Sequence, residues 1–493
     1  MLGLLDELAG KRVVIMGLGL FGGGAGAARF FAHRNAAVTV TDLRDADVLA
    51  ESVRSLSDFD ITFHLGGHDE SDFRSADILV VNPAVKPGDG FVRVARQSGA
   101  AVTTEVNLCM QLANGPVVGI TGTKGKSTTT ALLGEMLRKH DERTIVGGNI
   151  GGSVLDDVAS SSPGTPVVME LSSFQLYRLP LCARSPHVAV VLNLSPDHLD
   201  WHGSAEAYYA AKHNILEFQT ETDHAVLSAD DATVASWGDP ARRRTAFFAT
   251  EAETAIGSPV YARLHRTSPD RLSDVLVVEG PWGKFELDAR QLRLPGEHNV
   301  SNALAAALAA KIMGAADGEV AEVLRSFAGL PHRLEEVAVV NGVRYVNDSM
   351  ATTPEATIAA LSSFRGPIAL IAGGYDKGLD LGRLSEEICR KTSLLVLIGQ
   401  TGPKLRELVA VARRTVNSSP SVVSCRTLEE ALSAAAAIGS GGTVLLSPAC
   451  ASYDMFVNFR ARGEAFRRAV RGLAAAASGP GEVAGTKQGA TDG

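Results

Sequence analysis

Residues 120 to 128 read Ile-Thr-Gly-Thr-Lys-Gly-Lys-Ser-Thr, with glycines, lysines and hydroxyl side chains packed into one short stretch. The apolar run PVVGI precedes it and the helix-forming run TTTALLGEMLRKH follows. A strand, a glycine turn and a helix in that order make the setting of a phosphate loop. Backbone N–H groups of Gly122, Thr123, Lys124 and Gly125 and of the helix start can cradle phosphate oxygens. Lys126 can neutralise the β and γ oxygens, and the Ser127 hydroxyl can meet Mg2+. The spacing is shorter than G-x-x-x-x-G-K-[ST], because the first glycine of that form would fall at Ile120.

A second glycine turn, Gly17-Leu18-Gly19-Leu20-Phe21-Gly22, follows RVVIM, and Asp42 closes the later run AVTVTD. Two ligands fit this pattern. One is a dinucleotide with Asp42 on a ribose; the other is a different nucleotide diphosphate, such as UDP, seated on the helix N-terminus. Close packing of helix on strand would need no ligand at all. Farther along, Glu170 closes the apolar run PVVME, Asn193, Asp197 and His198 follow the run VAVVL, and Lys212 lies on the next helix. Carboxylates at strand ends beside a phosphate loop suit Mg2+, although a helix cap or an ion pair would use the same residue types. His202 and His213 are read as surface residues.

The elements that must carry these groups are α/β throughout. With 493 residues and roughly 150 residues per domain, about three domains are expected. Apolar runs alternate with helical stretches, as in parallel sheets covered by helices. The reading is 1–114 for the first domain, 115–330 for the second, 331–474 for the third, and a disordered tail over 475–493. Residues 223–295 are less regular, with paired strands DVLVVEG and KFELDA ahead of the Ala-rich helix NVSNALAAALAAKIMG.

Lys plus Arg number 47 against 55 Asp plus Glu, a net charge of -8 that gives nucleic acid no general attraction. Anionic substrates must therefore be held locally. The five cysteines are odd in number and form no C-x-x-C pair, so neither a disulfide framework nor a zinc site is expected. MLGLLDELAGKR does not read as a signal peptide, and no apolar run approaches the roughly 20 residues of a membrane helix. A cytoplasmic chain without a membrane partner is expected.

The ordered segments Gly122 to Thr128, GGNIG, ELSSFQL, HLDWHGS to AAK, HNVSNALAA, HRLE, NDSMATTP and LSPACASYDMF together resemble the Mur ligase family from Lys11 to about Arg468. The resemblance implies a Rossmann-like N-terminal domain, a central phosphate-loop ATPase-type domain and a Rossmann-like C-terminal domain. The NDS-x-AT segment, the GGYDKG loop and the SPACAS ending resemble the branch that adds D-glutamate. The substrates implied are ATP, UDP-N-acetylmuramoyl-L-alanine and D-glutamate, joined by a monomer through an acyl phosphate.

Carried over by position, Lys126, Ser127 and Thr128 would bind ATP phosphates, with Ser127 and Glu170 on one Mg2+ and His198 and a carbamylated Lys212 on a second. An ammonium cannot ligate a cation, whereas a carbamate can. Asn299 and Asn302 would approach adenine, Arg333 the phosphates and Asp348 the ribose. Gly19, Leu20, Asp42, Arg44 and Asn149 would contact the UDP substrate. Thr352, Lys377, Ser452 and the backbone of Phe459 would hold D-glutamate. Phe21, Lys124 and Met350 depart from the residues usual at their positions. Two rivals remain: a nicotinamide-dependent oxidoreductase using the N-terminal turn, and a non-catalytic nucleotide-regulated binding protein.

Overall fold

A computed structural model describes residues 7–19, 22–239, 243–251, 259–266, 274–294, 297–376, 378–416 and 420–477. The chain divides into two compact units, Met1–Phe327 and Ala328–Gly493. Leu20, Lys377 and the tail from residue 478 lie outside the described residues.

The first unit holds two sheets. Strands β1 (Arg12–Met16), β2 (Ala37–Asp42), β3 (Ile61–Leu65), β4 (Ile78–Val81) and β5 (Ala101–Thr103) form a parallel sheet in the order β3-β2-β1-β4-β5. Val13, Val14, Ile15 and Met16 are all buried, as expected for a strand covered on both faces. The order reverses direction beside β1, between β2 and β4. A crevice opens at such a switch point, outside the carboxyl ends of the strands. Helix α1 (Gly23–Ala32) starts there, and Phe30 and Phe31 anchor it in the core. Helix α2 (Glu105–Leu112) follows β5, capped by the Thr104 hydroxyl.

The second sheet has β6 (Val117–Thr121), β7 (Ile145–Gly148), β8 (Val167–Glu170), β9 (Val188–Val191), β10 (His224–Ser228), β11 (Arg244–Ala249), β12 (Tyr261–His265), β13 (Val275–Gly280) and β14 (Gly283–Asp288). Their order is β14-β13-β12-β11-β10-β9-β6-β8-β7, parallel from β7 to β12 and antiparallel over β12-β13-β14. The expected strand pair is thus a hairpin that extends one edge. β6 lies between β9 and β8, so the chain leaves it at a second switch point. Helices α3 (Lys126–His140), α4 (Leu155–Ala159), α5 (Ser173–Tyr177), α6 (Ala205–His213) and α7 (Glu297–Ile312) belong to this part. Ala303 to Ala310 of α7 are all buried. Alanine's small side chain permits that close packing, and the helix shares a core with Leu132, Leu133, Met136 and Leu137 of α3.

In the second unit β15 (Glu335–Val340), β16 (Val343–Asn347), β17 (Ile368–Ala372), β18 (Leu394–Leu397), β19 (Ser421–Ser424) and β20 (Thr443–Leu446) run in the order β15-β16-β20-β17-β18-β19. Only β15 is antiparallel to its neighbour. β20 lies between β16 and β17, and the segments after these three strands share one end of the sheet. Helix α8 (Phe459–Ala477) closes the unit. No described helix is long and apolar enough to cross a membrane.

Candidate active site

The turn after β6 is built as its glycines dictate. Gly122 and Gly125 have φ of 151° and 87°, where an L side chain is strained. A Cβ on Gly125 would also stand 2.3 Å from Asn302 Oδ1. Asn193, after β9, clamps the turn: its carbonyl accepts from Thr123 N at 2.9 Å, its Oδ1 accepts from Lys124 N at 2.8 Å, and its Nδ2 donates to Lys124 O at 3.1 Å. Thr123 Oγ1 takes a 3.0 Å bond from Ser195 N and lies 3.2 Å from the Tyr208 hydroxyl. The Lys126 amine donates to Gly122 O at 2.9 Å and Thr123 O at 3.0 Å.

Lys212 projects from α6 into the same place. It is 1% exposed, and its amine donates to Gly122 O at 2.8 Å and Thr121 Oγ1 at 3.3 Å, with the Tyr208 ring 4.9 Å away. Burial first, and the Lys126 charge second, push its pKa down to about 6. Glu170 and Asp197 pull the other way, which places both carboxylates within electrostatic range.

Glu170, 1% exposed, is half satisfied. Its Oε1 accepts from Asn149 Nδ2 at 2.8 Å, while Oε2 is buried without a hydrogen-bond partner. A buried carboxylate oxygen left without a partner is costly unless a ligand completes it, and a hard cation is the natural one. Among the described residues, however, no three His, Cys, Asp or Glu side chains gather into a ready cage. Mg2+ tolerates that arrangement, because it commonly keeps waters and substrate phosphate oxygens with one or two protein carboxylates. The donor set therefore fits Mg2+ held jointly with ATP.

His198 has a left-handed backbone, φ 52°, and opens the short helix Leu199–His202 with its ring 4.8 Å from that of Phe174. His202 differs from expectation. Instead of standing on the surface it is half-buried, stacked on Phe174 at 5.7 Å and bonded to Ser173 Oγ at 3.0 Å. His213 likewise packs half-buried, edge-on to Trp237. Aromatic neighbours distant in sequence gave no local sign of either. Asn299 and Asn302 are nine-tenths buried on α7, with Asn302 Nδ2 on Asn299 Oδ1 at 3.1 Å and Thr129 Oγ1 on Asn302 Oδ1 at 3.3 Å. They stand behind the phosphate turn, joining α7 to α3.

At the N-terminal turn, Asp42 is buried and both its oxygens are engaged. Oδ2 accepts from Gly19 N at 3.2 Å, and Oδ1 accepts from Arg44 N at 3.0 Å and Arg44 Nε at 3.1 Å. A carboxylate so occupied is poorly placed to take both ribose hydroxyls, as the nicotinamide reading asks. It instead fixes Arg44 and Gly19 against each other. Asn149 stands at the end of β7, its N–H on Glu170 O at 2.8 Å.

The second unit gathers its own set. Asp348, after β16, is buried; Ser447 Oγ donates to its Oδ2 at 2.7 Å and Leu334 N to its Oδ1 at 3.2 Å. Burial pushes its carboxyl up to about 7 despite those bonds and the Arg333 charge. Arg333 is exposed, and Thr352 is half-buried. Ser452 is buried and its hydroxyl lacks a partner, as a binding group awaiting one would. The Phe459 carbonyl accepts from Ser349 Oγ at 2.8 Å.

Behind these loops lies Arg462, to which the sequence reading gave no role. It is 1% exposed, forms no ion pair among the described residues, and donates to Ser349 Oγ (3.0 Å), Ser349 O (2.9 Å) and Cys450 O (3.1 Å). Burial pushes its pKa down to about 10. Tyr208, Ser153 and Glu105 were also missed. Of these only Glu105 had a local signal, an acid directly after a helix-capping threonine.

A phosphate turn, buried lysine and half-satisfied carboxylate at one switch point define an α/β nucleotide-binding protein of the phosphate-loop class. Within that class the chain belongs to the Mur ligase family. Residues 11–104 match the Mur ligase MurD-like N-terminal domain, 120–310 the Mur ligase middle domain, and 332–450 the Mur ligase glutamate ligase domain. The chain is 43% identical over 472 residues to the UDP-N-acetylmuramoylalanine--D-glutamate ligase of Roseiflexus sp. (strain RS-1), covering 94% of this chain and 99% of that one. The enzyme of the same name from Symbiobacterium thermophilum is 37% identical, with 94% and 98% covered. Among solved structures, the UDP-N-acetylmuramate-alanine ligase MurC of Thermotoga maritima shares the fold at 18% identity and a TM-score of 0.56, with 94% and 99% covered.

Proposed function

We propose that this chain joins D-glutamate to UDP-N-acetylmuramoyl-L-alanine at the expense of ATP, forming an amide and releasing ADP and phosphate. The observation that carries the reading is the meeting of Lys126, Lys212 and Glu170 at the end of β6, in a chain that spans 99% of its 43%-identical ligase relative. ATP as phosphoryl donor places the reaction in the cytoplasm, and the substrates are small molecules that a monomer can bind.

The γ-phosphoryl group passes to the alanyl carboxylate, giving an acyl phosphate and ADP. The D-glutamate amine then attacks the acyl carbon, and the tetrahedral intermediate collapses with loss of phosphate and a proton. Two anions must meet in the first step, so charge neutralisation dominates catalysis. Lys126 and the N–H groups opening α3 supply it from the protein. Mg2+ would add Lewis-acid stabilisation of the phosphoryl oxygens. Glu170 Oε2 and the Ser127 hydroxyl would hold one ion, and His198 with Lys212 a second. For that, Lys212 must become a carbamate, and an amine with a pKa near 6 is free base at neutral pH, the form that adds CO2 and loses a proton.

Gly19, Leu20, Arg44 and Asn149 are assigned to the UDP substrate, with Asp42 in the same pocket holding Gly19 and Arg44 in place. Asn299 and Asn302 go to the adenine side, with Arg333 on the phosphates and Asp348 on the ribose. Thr352, Lys377, Ser452 and the Phe459 backbone are assigned to D-glutamate. The test is phosphate release by the purified chain across a panel of UDP-muramoyl acceptors and D- or L-amino acids. Release is expected only when UDP-N-acetylmuramoyl-L-alanine and D-glutamate are both present. ATP turnover indifferent to either substrate would remove the proposal.

A further inference from the structure

Glu105 has no part in the assignments above, yet it stands where the two glycine-rich parts of the first unit meet. It opens α2, is mostly buried, and its Oε1 accepts a 2.8 Å hydrogen bond from the Ser153 hydroxyl. The other oxygen lies toward the first turn of α1, where a Cβ built on Gly23 would be 3.9 Å from Oε2. Ser153 fills a notch that only glycine leaves open. A Cβ on Gly26 would lie 2.1 Å from its Oγ, and one on Gly22 would lie 3.7 Å from its backbone nitrogen.

The same hydroxyl accepts from Leu155 N at 3.3 Å at the start of α4, and Asp156 of α4 pairs with Arg29 of α1 at 2.8 Å. Residues 149–153 are therefore pinned at both ends. Ser153 is held at one end by Glu105 and the glycine face of α1. At the other, Asn149 is bonded through its N–H and its Nδ2 to the backbone and carboxylate of Glu170.

We infer that Glu105 is a positioning residue of the UDP-substrate site: through Ser153 it fixes segment 149–153 across the glycine face of α1 and so joins the diphosphate turn to the Asn149–Glu170 pair. The inference rests on the proposed function. A permanent carboxylate at that turn would repel an arriving diphosphate, but burial pushes the Glu105 carboxyl up to about 7, which lowers the cost. Its task is to accept a hydrogen bond, which an uncharged amide oxygen also does.

The test titrates UDP into the full chain by calorimetry and measures steady-state kinetics for all three substrates. Glu105→Ala and Ser153→Ala should each weaken UDP by about 5- to 20-fold, with a matching rise in KM for the UDP-linked acceptor and an unchanged KM for D-glutamate. Glu105→Gln, which keeps an acceptor oxygen, should stay within about 2-fold of wild type. The double alanine variant should be no weaker than either single one, because both remove one interaction. Unchanged UDP affinity in the alanine variants would overturn the inference. So would a double variant showing the product of the two losses, or a uniform rise in all three KM values. A wild-type chain that binds UDP but releases no phosphate would remove the functional reading instead, while the calorimetric comparison still decides the role of Glu105.

Discussion

At the Lys212 amine, burial and the neighbouring Lys126 charge act in the same direction, and the neutral form becomes accessible near pH 7. Within electrostatic range of it, Glu170 has the opposite problem, an ionisable oxygen buried without a donor. A carbamate on Lys212 and a shared cation would resolve both. Lys212→Ala should therefore lower kcat by ~100-fold or more, with part of the loss restored by millimolar acetate or formate in steady-state assays. Rescue by a small amine in place of a carboxylate would assign Lys212 an ammonium role. Lys126, Ser127, Glu170 and Lys212 were legible in the sequence because each follows, or lies one helix beyond, an apolar strand that ends at the same sheet edge. Tyr208, Ser153 and Arg462 were not legible, because their partners lie far away in the chain and no local pattern encodes a long-range hydrogen bond. The pair Arg462 and Ser349, more than a hundred positions apart, illustrates the distance involved.

Among the elements, α8 is tied down by one buried side chain. Arg462 lies in its first turn and fastens it to the segments after β16 and β20 by bonds to Ser349 and Cys450. A buried guanidinium is costly to desolvate, yet removing it leaves those carbonyl oxygens unsatisfied. Arg462→Leu should destabilise the second unit by about 2–4 kcal/mol, seen as an earlier denaturation transition, and should raise the KM for D-glutamate more than that for ATP. A variant as stable as wild type would show that the oxygens find other donors. Strands such as β1, β6, β8 and β17 stood out in the sequence as β-branched runs between polar turns. β7, with the sequence IVGG, is not singled out as a strand because its two glycines carry no side-chain pattern. β19, mostly exposed at a sheet edge, offers no buried face to betray it. The hairpin β13-β14 was visible as two strand-like runs, VLVVEG and GKFELD, joined by a short connection.

For the molecule as a whole, the division after Phe327 separates the nucleotide loops and their cores from the Asp348, Ser452 and Arg462 group. A chain ending at Phe327 should fold and bind UDP in calorimetric titrations, bind ATP more weakly than the full chain because Arg333 and Asp348 are lost, and release no phosphate when D-glutamate is added. Phosphate release that still depends on D-glutamate in that fragment would place the amino-acid site in the first unit. Charge follows the same economy of scale. A chain with net charge -8 handles three anionic substrates, so attraction must be confined to a few spots. At one of these, the carbonyl oxygen of Gly122 receives the amines of both Lys126 and Lys212. A carbonyl has two lone pairs, so Lys126 can let go and reach an incoming phosphate while the Lys212 nitrogen, which keeps one N–H as a carbamate, still donates to that oxygen. The turn keeps one of its two N–H donors throughout, and the backbone need not be rebuilt in each round of turnover.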